Sequence, residues 1–322
     1  MTHRRIGQLD WADAMVSRAS GGRRDTLSEL SAFLDWDPFE RALSGLHRSR
    51  RGEAAYPPLM MFKVLLLQRW YGLSDPGMEE ALADRLSFRR FAGLSLSDVT
   101  PDHTTIWRFR ESLARQGLEG ALFAELERQL SVRGLVLRQG TLVDASLVKS
   151  AARRPRMREA KTSAVDPDAS FGANNERRRY EFGYKMHIGV DSGSQLVRRV
   201  ELTGAHVQEV TRATALISGD EAAVYADRGY DARHLHDHLA DRGIADGIMR
   251  RRRRSQAPDA AMEEANRSLS LHRRPVEAVF GTLKRCYGFA RMRYFNIARN
   301  RVALTLALFA YNLRRAHAIT AS

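Results

Sequence analysis

Three carboxylates in this chain stand where a purely structural role is hard to find. Asp144 lies inside the apolar run Thr141-Leu142-Val143-Asp144-Ala145-Ser146-Leu147-Val148. That run reads as a buried strand, where a carboxylate is costly unless something pairs with it. Asp227 ends a second short apolar run, Ala222 to Ala226, immediately before Arg228-Gly229-Tyr230. Ligands of α/β sheets gather at strand ends of this kind. Glu277 follows Pro275. Proline is at home in the first turn of a helix, and the positive end of that helix favours an ionised carboxylate. A single Asp or Glu of this sort is more often a cap or a surface ion pair. Three of them, from separated segments, could hold two hard divalent cations, Mg²⁺ or Mn²⁺ in its place, through oxygen ligands alone. Such a pair of ions serves phosphodiester cleavage, one activating the attacking oxygen and the other stabilising the leaving oxygen.

The charge of the chain points to the same substrate class. Lys and Arg number 52 against 38 Asp and Glu, a net charge of +14 over 322 residues. An excess of that size implies an extended anionic partner, first of all nucleic acid. No run approaches the roughly 18 apolar residues that a membrane span needs. The first ten residues carry charges but no apolar core of a signal peptide. Cys286 is the only cysteine, so no disulfide within the chain and no cysteine-based zinc site is expected. The expected setting is a reducing cytoplasm, on the nucleoid, with no membrane association.

These residues need elements to position them. Residues 57–132 read as four helices: Leu59 to Tyr71 opened by Pro57-Pro58, Asp75 to Phe91, Thr104 to Ala114 capped by Asp102, and Leu118 to Val132. Gly72 and Gly93 close the first two. Short helices joined by brief turns suit a DNA-binding bundle. The stretch Thr104 to Arg110 is then a candidate recognition helix in which Arg108 and Arg110 touch DNA. The alternative is that Ile106, Trp107 and Phe109 pack inward and the arginines are merely solvated. After Gly134 the pattern changes to strands. Residues 149–180 read as a long basic loop. Tyr184, Met186, Ile188 and Val190 then alternate with Lys185, His187, Gly189 and Asp191, a half-buried strand with one polar face. Lys185 and His187 on that face are candidate DNA contacts, or His187 is simply a surface residue. A hairpin at Asp191-Ser192-Gly193 leads to a third strand. A helix from Val207 to Ile217, the strand ending at Asp227, a helix to Ala240, a strand near Ile248 and two late helices follow, the first of them from Pro275 to Tyr287. The order implies a mixed sheet with helices on its faces. Arg250 to Arg254 either line a DNA groove or form a solvated loop.

The late segment carries a recognisable pattern. Arg273, Glu277 and Lys284 reproduce the R-x3-E-x6-K part of the Y-x2-R-x3-E-x6-K signature of DDE transposases, with Ser270 at the tyrosine position. The string Arg274 to Lys284 resembles the corresponding block of the insertion-sequence-five group. The segments Thr141 to Ser146 and Ala226 to Tyr230 resemble the two Asp blocks of that group. The helices from Pro57 to Phe91 and the block Pro101 to Ile106 resemble its N-terminal domain. The resemblance implies that Asp144, Asp227 and Glu277 are catalytic and bind the metal. It further implies that Arg273 and Lys284 hold DNA; two helical turns separate Glu277 from Lys284, so the two point the same way.

The fold so implied is of mixed α+β class. A helical DNA-binding domain over 1–133 precedes a ribonuclease H-like domain over 134–322, with sheet order 3-2-1-4-5 flanked by helices. The strand of Asp144 should be central and parallel to the strand ending at Asp227. The implied function is a transposase, acting on double-stranded DNA as a homodimer. It would hydrolyse phosphodiesters at the terminal inverted repeats and join the freed 3′-hydroxyls to target DNA. A nuclease of the same fold that does not join strands, or a non-catalytic DNA-binding remnant, are the alternatives.

Overall fold

The computed structural model describes residues 3–8, 11, 15, 25–46, 54–156, 162–174, 179–252 and 259–321. The chain forms two compact units, one of residues 1–129 and 302–322 and one of residues 130–301.

In the first unit, local signals set the helix ends. α1 (Thr26–Ala32) is capped by Asp25, which accepts from Ser28 N at 2.7 Å. α2 spans Asp37–Leu43 and α3 spans Pro58–Tyr71. α3 stops at Gly72, whose φ of +65° is a left-handed position that glycine takes without strain. The single helix expected from Asp75 to Phe91 is two, α4 (Asp75–Asp84) and α5 (Leu86–Ala92). Arg85 between them is extended, with φ −99° and ψ 111°. The cap of α4 is Ser74, which accepts from Gly77 N at 3.0 Å, while the Asp75 carboxylate binds Arg110. α6 (His103–Gln116) begins as expected, with Asp102 accepting from Thr105 N at 2.6 Å. α7 covers Glu119–Val132.

The last helix, Ile297–Ala321, corrects the expected domain boundary. The sequence reading gave it wholly to the second domain, but its residues from Val302 onward pack in the first unit. Phe309 meets Phe39 and Phe62 edge-on at 5.5 and 5.3 Å, and Trp70 donates its indole N–H to Ala310 O at 2.9 Å. A helix with Leu304, Ala307, Leu308 and Leu313 all buried fits a bundle interior and not a sheet flank.

The second unit is a mixed sheet. Its strands are β1 (Thr141–Lys149), β2 (Ser170–Asn174), β3 (Arg179–Asp191), β4 (Val197–Gly204), β5 (Ala223–Ala226) and β6 (Ala245–Ile248). β3 pairs antiparallel with β1 on one side and with β2 and β4 on the other; β5 pairs parallel with β1 and β6. Leaving β2 aside, the order β4-β3-β1-β5-β6 is the ribonuclease H-like 3-2-1-4-5 expected from the sequence. β2 is the departure: it falls within the stretch read as a loop. Buried Asp166 anchors that stretch, accepting from the hydroxyls of Ser150 and Tyr184 and from Asn296 N at 2.9 Å. Residues 157–161 and 175–178 of the stretch, with Arg177 and Arg178, lie outside the described residues.

One sheet face is closed by apolar packing among Val143, Val224, Ala226, Tyr230 and Leu235. A 3₁₀ helix (Glu209–Leu216), in place of the expected α-helix, and α8 (Arg233–Ala240) contribute to that side. Next comes α9, and here a second expectation fails. α9 runs from Ala260 to Cys286 and carries Pro275 in its interior, so Glu277 is not in a first turn and gains nothing from a helix N-terminus. Asp259 starts the helix far upstream, accepting from Ala261 N and Met262 N. Arg273 and Glu277 therefore lie one turn apart on one continuous helix, which settles where Arg273 sits.

Candidate active site

The register of the parallel pair decides the placement of the two aspartates. Thr141 pairs with Val224 and Leu142 with Tyr225. Asp144 follows two residues later on β1, and Asp227 directly after β5 ends at Ala226. The two aspartates thus come from adjacent parallel strands, which lie only about 4.8 Å apart. Asp227 caps the turn that follows, accepting from Gly229 N at 2.7 Å. A Cβ on Gly229 would lie 2.8 Å from Asp227 Oδ1, so a larger residue there would displace that carboxylate.

α9 packs against these two strands. His272 stacks on Tyr225 of β5, with ring centroids 4.8 Å apart and planes 10° apart. One residue later, Arg273 donates to Asp144 Oδ2 at 2.9 Å, both side chains being 15% exposed. Asp144 Oδ1 accepts from Ala145 N at 2.8 Å. Loss of water pushes the Asp144 carboxyl up to about 7. Arg273 and the Ala145 N–H oppose that rise, while the negative charges of Asp227 and Glu209 add to it. Arg273 keeps a second donor, a buried Nε–H that has no acceptor among the described residues. Glu277 is exposed, one turn beyond Arg273. Residues four apart on a helix share a face, with Cβ atoms about 5–6 Å apart, so Glu277 is on the face of α9 that carries Arg273. Lys284 sits two turns on, half-buried. Among the described residues, no three His, Cys, Asp or Glu side chains are drawn together closely enough to hold a metal ion.

Three expected DNA contacts fall elsewhere. Arg110 is 1% exposed and bound to Asp75 at 2.5 Å and to Gln68 Oε1 at 2.9 Å, so it ties α6 to α4 and α3. Lys185 is also buried; its ammonium donates to Val207 O at 2.9 Å and pairs with Glu209 at 3.2 Å. His187 is fully buried against Thr203. The polar face of β3 is covered because the segment after β4 folds over it. On α6, Ile106 and Phe109 are buried as the packing alternative required, while Trp107 and Arg108 are exposed. The arginine run is partly anchored: Arg250 pairs with Asp246 at 2.7 Å, and Arg251 N donates to Asp231 at 2.7 Å. Arg253 and Arg254 lie outside the described residues. Ser270, at the signature tyrosine position, donates to Arg267 O at 2.7 Å within its own helix.

The burial of His187 has a measurable consequence. Thr203 gives its one hydroxyl proton to Gly204 O, so His187 Nε2–H must be the donor to Thr203, leaving Nδ1 bare and buried. Desolvation, with Lys185 and Arg212 nearby, lowers the imidazole from 6.5 to about 4. Above pH 6.5 both folded and unfolded chains hold it neutral. As pH falls below 6.5, only the unfolded chain takes the proton, so stability is lost progressively down to about 4. The loss is on the order of 3 kcal/mol at 1.36 kcal/mol per pK unit. Urea midpoints measured from pH 7.5 to 4.5 should fall more steeply in the native chain than in His187→Asn; equal slopes would contradict the assignment.

Glu209 and Tyr230 were missed at the sequence level. Glu209 sits in a polar, unpatterned stretch, Gln208-Glu209-Val210-Thr211, that offered no signal. Tyr230 had one, its place directly after Asp227-Arg228-Gly229.

Among the described residues no helix is long and apolar enough to cross a membrane. The piggyBac transposase synaptic complex with hairpin DNA, solved by cryo-EM, is similar at 10% identity and a TM-score of 0.44, over 90% of this chain and 72% of that one. Residues 16–112 match the family described as "Transposase domain (DUF772)". Residues 137–313, more than half of the chain, match the family described as "Transposase DDE domain". The chain belongs to the DDE transposases.

Proposed function

We propose that this transposase binds the terminal inverted repeats of an insertion sequence, hydrolyses phosphodiesters at the ends and joins the freed 3′-hydroxyls to target DNA. The observation that carries this reading is the parallel register of β1 and β5, which sets Asp144 and Asp227 on adjacent strands, with Arg273 of α9 on Asp144. The motif strings make the insertion-sequence-five group the closest fit within the family.

The residues suit a divalent cation, Mg²⁺ with Mn²⁺ as a substitute. All donors are carboxylate oxygens, and Asp144 is a partly buried acid whose desolvation Arg273 and the Ala145 N–H offset only in part. Asp144 and Asp227 would hold the ion, and Glu277 would join them from the shared face of α9. Bound there, divalent ions supply activation of the attacking oxygen and stabilisation of the leaving one. The chain's own groups do the rest. The sheet fixes Asp144 and Asp227, the free Nε–H of Arg273 offers a donor to a phosphate oxygen, and Lys284 adds positive charge further along the helix. Handling two ends together calls for a dimer on DNA, acting at the nucleoid.

A joining assay tests the reading. Incubation with end-bearing DNA, target plasmid and Mg²⁺ should give covalent strand-transfer products. Cleavage without joining would favour a nuclease, and neither would favour a non-catalytic remnant.

DNA affinity should fall steeply with salt, with a log–log slope of about −0.9 for each phosphate contacted. Exposed Arg108 on α6 is the candidate contact there. Arg108→Ala should reduce that slope by about one contact without lowering the melting temperature. Filter-binding titrations at several salt concentrations would decide; an unchanged slope removes Arg108 from the interface.

A further inference from the structure

The aspartate pair has a third acidic neighbour that the family signature does not name. A Cβ placed on Gly229 would lie 2.8 Å from Asp227 Oδ1 and 3.8 Å from Glu209 Oε2, so those two oxygens are within 6.6 Å, the sum of the two distances. The other oxygen of Glu209, Oε1, is 3.2 Å from the ammonium of Lys185, which is itself held by Val207 O at 2.9 Å. Glu209 is thus gripped from behind by a buried lysine while its free oxygen faces the Asp227 turn. Both Glu209 and Asp227 act electrostatically on Asp144.

A separate observation concerns Tyr230. It is fully buried, and among the described residues its hydroxyl has no hydrogen-bond partner. The charged groups acting on that hydroxyl are Asp144, Glu209, Asp227 and Arg273. A buried donor without an acceptor is unfavourable, and burial first, with the negative charges of Asp144, Glu209 and Asp227 added to it, holds the phenol in its protonated form.

We infer that Glu209 is a fourth acidic member of this site, a positioning residue whose carboxylate accepts hydrogen bonds from the water ligands of the cation that Asp144 and Asp227 hold. The inference rests on reading Asp144 and Asp227 as cation ligands. Divalent ions of this kind keep several waters, and those waters need acceptors. Lys185 fixes one oxygen of Glu209 and leaves the other for that task.

Mn²⁺ binding to the full chain without DNA, followed by electron paramagnetic resonance of the free ion, tests this apart from activity. Outer-shell partners are worth about 10–100-fold in metal affinity, so Glu209→Gln should weaken Mn²⁺ binding by about that factor. Asp227→Asn should weaken it at least as much. Glu201→Gln, an acid on β4 paired in register with His187, should leave it unchanged. Wild-type affinity in Glu209→Gln beside a loss in Asp227→Asn overturns the role of Glu209 and leaves the cation reading standing. Wild-type affinity in both overturns the cation reading and the inference with it. Melting curves without Mn²⁺ report whether each variant folds. If Glu209→Gln does not, Glu209→Asp is read in its place: it keeps a charge for Lys185 but draws the carboxylate back from the Asp227 turn, so affinity should again fall, and unchanged affinity overturns the inference.

Discussion

Asp144→Asn, Asp227→Asn and Glu277→Gln should each abolish DNA cleavage while leaving binding to the transposon ends close to that of the native chain. Each amide keeps the shape of the acid and removes the charge that a divalent ion needs. Metal stabilisation of the transition state is worth several kcal/mol, so each loss should be on the order of 10³-fold or more at about 1.4 kcal/mol per factor of ten. The three need not behave alike in stability. Asp144→Asn leaves the guanidinium of Arg273 facing an amide in place of a carboxylate. Asp227→Asn keeps an oxygen for Gly229 N. Glu277→Gln is exposed and should be neutral to folding. Single-turnover cleavage in Mg²⁺, with band-shift titrations on the same DNA, separates chemistry from binding. Near-native cleavage by any one variant removes that residue from the metal site.

Arg110→Met should destabilise the helical unit by about 3 kcal/mol, the low end of the range of about 3–5 kcal/mol for breaking a buried ion pair. The low end applies because Asp75 keeps 23% of its side chain exposed. Arg110 ties three helices: α6 through its own backbone, α4 through Asp75 and α3 through Gln68, whose Nε2 also donates to Asp75 at 2.6 Å. Removing the guanidinium leaves that carboxylate facing an apolar side chain. Adding Asp75→Leu to Arg110→Met should recover most of the loss, since replacing both partners of a buried pair by apolar groups is often neutral. Urea denaturation of the four proteins gives the coupling directly. A single variant of native stability would show that the contact is idle, and a double variant no better than the single would show that the cost is one of packing.

The same helix shows what could be read from the sequence. Ile106, Phe109, Arg110 and Leu113 follow the i, i+3, i+4, i+7 spacing of one buried face, and all four are buried. Arg110 is inside because it shares that face; Arg108, two residues away, is on the far side. The spacing held the answer, but the residue type suggested solvent. On β3 the alternation was read correctly, as Tyr184, Met186, Ile188 and Val190 against Lys185, His187 and Asp191. That the polar face is also covered was not legible, because the covering segment follows β4 and its approach depends on the sheet having formed.

Asp144 and Asp227 were visible because each interrupts or ends an apolar run, and apolar runs are local. The helix boundaries set by Asp102, Gly72 and Gly93 were visible for the same reason: a cap or a left-handed residue acts on its immediate neighbours. α9 was misjudged because an interior proline removes a hydrogen bond and usually ends a helix, at about 3 kcal/mol. Tertiary packing, with His272 on Tyr225 and Arg273 on Asp144, carries the helix past Pro275. The sequence by itself therefore determined every strand but β2, most of the caps and the two aspartates that the sheet presents. Only the tertiary structure decided which cations are buried, that Lys185 holds Glu209, and that the end of the last helix belongs with the first bundle. The reason is range: a residue's conformation answers to its near neighbours in the chain, while its partner and its exposure depend on segments that meet only after the chain has folded.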